Sequence, residues 1–171
     1  MPTDEALVAR LAGGDQSALG VLLARWQRPL AHFIYRQTGG RDVDDLYQET
    51  WMRVVGAAPR FDARRRFSTW LFQIAVNLCR DWHRRRPPEA TAGVAAVDPG
   101  SLTRAESAAD AAALLARLPE AQREVLVLRY FHDLSEDEVA AILAIPKGTV
   151  KSRMHHALAR LQAIVAEDGT T

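Results

Sequence analysis

The chain has 171 residues, 48% hydrophobic and 25% charged, a composition that suits one or two small globular domains. No apolar run approaches the ~20 residues of a membrane span, and the start, Met1-Pro2-Thr3-Asp4-Glu5, lacks the basic region and apolar core of a signal peptide. A single cysteine, Cys79, excludes an internal disulfide framework and fits a reducing cytoplasm. The formal net charge of +1 conceals a pattern: residues 57–90 hold eight basic residues against three acidic ones, and 147–171 hold four against two, while 119–146 hold two against six. Two separated basic patches point to two contacts with a polyanion, with acidic surface left for protein partners. On charge alone, solvated faces explain the same runs.

Helical spacing dominates and strand alternation is nearly absent. Thr3 is a predicted cap for a first helix that ends at Gly13-Gly14. Asp15 is a predicted cap for a second, which carries Leu19, Leu22, Leu23 and Trp26, meets a kink or restart at Pro29 and ends at Gly39-Gly40. Asp42 opens a third, "DVDDLYQETWMRVV", which stops near Gly56 and Pro59. The loop "PRFDARRRF" then leads to Ser68, a predicted N-cap for the long helix that follows. After Arg86 the stretch "PPEATAGVAAVDPGS" reads as a flexible linker. Helical pattern returns by about Ala105 and runs to Leu118, and Pro119 suits the first turn of "PEAQREVLVLRYF". The expected fold is all-α: two helical domains, residues 1–88 and 107–171, joined by a linker at 89–106.

Residues 135–161, "SEDEVAAILAIPKGTVKSRMHHALARL", carry the pattern of a helix-turn-helix. Ser135 and Glu138 form a capping box. Val139, Ile142 and Leu143 give the first helix an apolar face, Ala140 is small where a second helix crosses, and Ala144-Ile145-Pro146 makes the break. Many such turns have glycine where this chain has Ala144. The second helix places Val150, Met154, Ala157, Leu158 and Leu161 on one side. Thr149, Ser152, Arg153, His156 and Arg160 lie on the other, flanked by Lys151 and His155. Basic side chains there neutralise phosphates, Arg reads guanine, and the helix N-terminus offers backbone N–H groups to a phosphate. A hairpin whose basic residues serve solubility alone is the plainer alternative.

The stretch "RFSTWLFQIAVNLCRDWHRRR" divides as sharply. Leu71, Ala75, Leu78 and Trp82 share one helical face and are expected in the core. Trp70, Gln73, Asn77, Arg80 and Arg84 share the other. A flat aromatic among amides and arginines is a platform for an unstacked base, and the preceding Arg64, Arg65 and Arg66 are placed to close over it. Packing of Trp70 against the helix of Trp26 and Phe33 explains that tryptophan equally well on physics alone.

With these residues in view, the chain resembles a bacterial sigma factor of the extracytoplasmic function (ECF) subgroup. "DVDDLYQETWMRVV", "FSTWLFQIAVNLCRDWHRRR", "LPEAQREVLVLRYFHDLSEDEVAAIL" and "IPKGTVKSRMHHALARL" stand in that family's order and spacing. The resemblance implies two domains, regions 2 and 4, that bind core RNA polymerase and direct promoter-specific initiation. It places Asp45, Leu46, Gln48 and Glu49 on the polymerase-binding surface. It assigns the melted −10 strand to Arg64, Arg65, Trp70, Gln73, Asn77, Arg80 and Arg84, with Trp70 exposed until the strand arrives. Lys147, Thr149, Lys151, Ser152, Arg153, His155 and His156 fall to the −35 duplex. The paired histidines differ from the commoner Arg or aromatic residues there. An anti-sigma factor is a further implied partner, with a cytoplasmic setting and no direct membrane insertion.

A stand-alone helix-turn-helix regulator is the competing class; it explains the C-terminal half, but such proteins usually dimerise and no dimer helix is evident. For an enzyme, no metal-ligand cluster, phosphate-binding glycine loop or nucleophile triad is found, so no catalytic residue, metal or cofactor is expected. Cys79 and His83, at i,i+4 spacing, read more simply as a buried thiol and a surface imidazole than as a metal seed.

Overall fold

The computed structural model describes residues 1–86 and 102–169; for residues 102–107 the backbone alone is considered. Helix α1 (Asp4–Ala12) starts at Thr3, whose Oγ1 accepts from the Ala6 N–H at 3.2 Å. Asp15 caps α2 (Gln16–Thr38) by accepting from the Ser17 N–H at 3.0 Å. Hydrogen bonds from Ser17 and Arg10 hold the Asp15 carboxyl down at about 2. Asp4 ties α1 to α2 by accepting from Arg25 at 2.7 Å and from Trp26 Nε1 at 3.0 Å. Pro29 lies inside α2 and the helix continues through it, so the predicted restart does not occur. Gly39, at φ 65°, ends α2 in the left-handed region that glycine adopts without strain.

Helix α3 (Val43–Ala57) runs into a single 3₁₀ turn, Ala58–Arg60. Asp42 stands at its N-terminus without capping it: its carboxylate accepts from Trp82 Nε1 at 2.7 Å and from Arg86 instead. Helix α4 (Phe67–Arg85) begins one residue before Ser68, the predicted cap. The first N–H, of Phe67, is satisfied from a distance by Glu5 Oε1 of α1 at 2.8 Å, and this bond is the main reason the Glu5 carboxyl lies below its ordinary value.

Helix α5 (Leu102–Ala116) starts within the segment expected as linker; residues 89–101 lie outside the described residues. Helix α6 (Glu120–Leu126) follows Pro119 and passes into a π turn, Val127–Phe131. The capping box of α7 (Glu136–Leu143) is complete: Ser135 Oγ accepts from the Glu138 N–H at 3.1 Å, and Glu138 accepts from the Ser135 N–H at 2.8 Å. Ala144 closes α7 at φ 54°, with Ile145 N–H bonded to the Ala140 carbonyl, before α8 (Lys147–Asp168). On α8, Val150, Ala157 and Ile164 are buried, whereas Leu158, expected with them, is 40% exposed, one position off the buried stripe.

The two halves share one continuous core. Phe33, Phe67, Leu71 and Phe72 are fully buried in the first half, Val125, Leu128 and Val139 in the second, and all belong to one apolar cluster. Helix α7 packs on α4, and α5 and the π turn pack on α2. At this junction His132 sits against Phe72 and Phe33, at ring separations of 5.1 and 5.8 Å. Its Nε2 is out of water with no hydrogen-bond partner. Burial, helped by nearby Arg36 and His32, pulls its pKa from 6.5 to about 4.

Two outcomes follow. Ala144→Gly removes a left-handed strain of roughly 1 kcal/mol, partly offset by added chain entropy, so urea unfolding should show a net gain of about 0.5 kcal/mol. Neutral His132 is the form that packs. The contribution of the His132 seat to stability is therefore fully present above pH 6.5 and is lost as pH falls toward 4, because the unfolded chain takes up the proton first. His132→Leu should remove about 2 kcal/mol of the stability lost between roughly pH 7 and 5, measured by urea unfolding at each pH.

Candidate nucleic-acid interface

Helix α4 is amphipathic along its whole length. Leu71, Ala75, Leu78 and Trp82 are buried, as the spacing predicts. The opposite face carries Trp70, Gln73, Asn77, Arg80 and Arg84. Asn77 and Arg84 are exposed, and Arg84 pairs with Asp81. Trp70 is half-buried and not fully exposed as expected: one side rests on Phe61 at 4.7 Å and on Phe67 at 6.0 Å. Its ring partners therefore lie in the loop before α4 and at the helix start. Phe61 braces the indole from below, which holds the ring in one orientation at the head of the basic face.

The basic loop is ordered by its own charges. Asp62 accepts from the Arg64 backbone N–H at 3.0 Å and from its guanidinium at 3.0 Å, and these bonds hold the Asp62 carboxyl below its ordinary value. Arg65 donates to Gln73 Oε1 at 2.6 Å, linking the loop to α4. Several donors on the outer face of α4 and in the loop before it are engaged by the second half of the chain. Arg80 grips Glu124 of α6 through two bonds of 2.7 and 2.8 Å. Gln73 Nε2 donates to the Ala141 carbonyl of α7 at 2.8 Å, and Arg66 donates to Glu138 at 2.7 Å. Nothing in the residue spacing announces these contacts, which join positions 44 to 72 residues apart.

The face of α8 is open. Lys151, Ser152, His155, His156 and Arg160 are exposed, and Thr149 and Arg153 are half-buried at its edge. Lys147 and Lys151 pair with Asp137 and Glu136 of α7, at 3.2 and 3.8 Å, across the helix-turn-helix angle. The two histidine rings lie edge to face at 5.9 Å.

On α3, Asp45 and Gln48 are exposed and Glu49 pairs with Arg53 at 3.1 Å. Leu46, expected on the same surface, is 9% exposed and packs into the core beneath it, because it falls on the buried stripe with Thr50 and Trp51. Beside these acids an apolar groove between α2 and α3 is lined by Leu19, Leu23, Tyr47, Trp51, Met52 and Val55. Met52 is 69% exposed. Its i,i+3 spacing with Val55, off the core stripe, is the signal in the sequence that marks this groove. Cys79 is buried and its thiol is pushed up to about 12 by desolvation; His83 is half-buried beside the Gln37 carbonyl at 2.8 Å. Among the described residues no three metal-binding side chains gather at one point, and no helix is long and apolar enough to cross a membrane.

An all-helical chain with a basic-aromatic helix in one half and an open helix-turn-helix in the other is the architecture of a sigma-type initiation factor, and the comparisons give that class its family. Residues 22–87 match the model of Sigma-70 region 2, and residues 109–161 match Sigma-70, region 4. The chain is 32% identical over 172 residues to the ECF RNA polymerase sigma-E factor of Escherichia coli strain K12, covering 91% of this chain and 90% of that one. It is 31% identical over 166 residues to the ECF sigma factor SigW of Bacillus subtilis strain 168, covering 86% and 89%. Among solved structures, CnrH in complex with the cytosolic domain of CnrY superposes with a TM-score of 0.79 at 34% identity, covering 96% of this chain and 98% of that one. The sigma factor RpoE of Bartonella quintana, bound to the anti-sigma factor NepR, gives 0.73 at 25% identity, covering 86% and 96%. The chain belongs to the ECF sigma factors, which direct promoter-specific transcription initiation.

Proposed function

We propose a residue-level division of labour within this initiation factor. Region 2, within residues 1–88, docks core RNA polymerase through α3 and reads the melted −10 strand with α4. Region 4, within 107–171, reads the −35 duplex with α8. The observation that carries this reading is the two-sidedness of α4: its inner face is sealed in the core, while Trp70, Asn77 and Arg80 share the outer face with a braced basic loop ahead of them. Trp70, held by Phe61, stacks an unpaired base; Gln73 and Asn77 meet base edges; Arg64, Arg65, Arg80 and Arg84 hold the backbone. On α3, the acidic Asp45 and Glu49 with Gln48 beside the Met52 groove suit a partner that is basic at its rim and apolar at its centre. On α8, Ser152, Arg153, His155 and His156 face base edges, and Lys147, Thr149 and Lys151 meet phosphates near the helix start. The intracellular setting and an anti-sigma partner accord with the kind of relatives the chain has.

Two variants test the division. Trp70→Ala should co-elute with core polymerase as wild type does and yet lose promoter opening by about tenfold or more, the stacking worth of ~1–3 kcal/mol; a thermal melt separates this from unfolding. Arg153→Ala should weaken binding to a −35 duplex by about 1–3 kcal/mol at one base position if it reads a base. An equal loss across all sequences reassigns Arg153 to the phosphates.

A further inference from the structure

We propose that region 4 is a built-in competitor of the promoter strand: Glu124, Glu138 and the Ala141 carbonyl occupy, within the same chain, the donors that otherwise hold single-stranded DNA. This rests on the strand-reading role of α4 proposed above. Three donors, Arg80 and Gln73 on that face and Arg66 in the loop just before it, are each satisfied by an acceptor from α6 or α7. The acceptors match DNA in kind. The Glu124 carboxylate meets both Arg80 nitrogens as a phosphate does, and Glu138 places a second anion at Arg66. The Ala141 carbonyl, unpaired within α7 because it lies in that helix's last turn, presents a neutral acceptor to the Gln73 amide, as a base edge does.

The closure is more than surface pairing. The Glu124 side chain is only 4% exposed and its carboxylate is held by Arg80, and the contact continues into apolar packing where His132 sits on Phe33 and Phe72. The strand and region 4 therefore cannot hold Arg80, Gln73 and Arg66 at the same time. On α8, Lys147, Lys151, Ser152, His155 and His156 remain exposed in this closed form, with Thr149 and Arg153 half-buried at the edge. Closure thus withholds single-strand contacts and leaves duplex contacts available, and strand capture requires α6 and α7 to leave α4.

The test uses the full chain and a fluorescein-labelled, random-sequence single-stranded DNA, read by anisotropy, alongside small-angle X-ray scattering. Glu124→Gln combined with Glu138→Gln should enlarge the particle and tighten strand binding by about tenfold or more, as expected when a minor open state becomes dominant. Glu167→Gln, which removes a carboxylate at the far end of α8, should stay compact and gain far less. If the double variant fails to fold, Glu138→Gln alone carries the test, because glutamine also serves in the capping box; a smaller gain is expected, and no gain overturns the proposal. A folded double variant that stays as compact as wild type, or that opens without binding the strand more tightly, also overturns it. Arg80→Ala, assayed for promoter opening with polymerase, then shows which idea has failed. Impaired opening keeps Arg80 on the strand and removes only the competition, whereas normal opening removes the strand-reading role itself.

Discussion

Glu124 is a carboxylate with almost no access to water, and Arg80 is what makes its position tolerable. Taking a lone carboxylate out of water costs several kcal/mol, and only a well-aligned, doubly hydrogen-bonded partner offsets it. Arg80 supplies that alignment with two short, parallel bonds. Much else follows from the pair. It fixes α6 across the basic end of α4, which brings α7 beside Gln73 and seats His132 between the phenylalanine rings of the first half. A neutral imidazole suits that seat and a charged one does not, so the junction combines one ion pair with a contact that rejects further charge.

Helix α4 is the element on which both halves converge, and its sequence meets two demands with one period. Leu71, Ala75, Leu78 and Trp82 repeat at helical spacing and anchor the helix in the core. The residues between them are then free to be chosen for chemistry, and they are polar, aromatic or basic. Trp70 stands at the border of the two faces. It gives one side to Phe61 and Phe67, which explains how a large ring near solvent keeps a fixed orientation. A ring ordered in advance loses less freedom when a base stacks on it.

Much of this was legible in the residues because it is local. Thr3, Asp15, Gly39 and the Ser135–Glu138 box all act within a few positions of themselves, and the structure shows each of them doing so. The core stripe of α4 was legible for the same reason. The departures come where a distant group intervenes. Ser68 is a good cap in isolation, but Glu5 reaches across from α1 and the helix starts one residue earlier. Asp42 is drawn away to Trp82 and Arg86. Leu46 is a different case, since its burial follows the local stripe of Thr50 and Val54 on α3. The engagement of Arg80, Gln73 and Arg66 was beyond the sequence altogether, since each contact depends on how two separate helical units come together.

The bond from Phe67 to Glu5 bears on how this chain is divided for study. The family match begins at residue 22, yet the cap of α4 is supplied from residue 5, and Asp4 beside it holds Arg25 and Trp26. A fragment trimmed to the matched boundary would keep every residue of the basic-aromatic face and lose the group that satisfies its first amide. Such a fragment starts α4 with an open end directly behind Trp70, so affinities measured on it describe a looser surface than the intact chain presents. A bulky fusion at Met1 sits four residues from the same joint and bears directly on that cap.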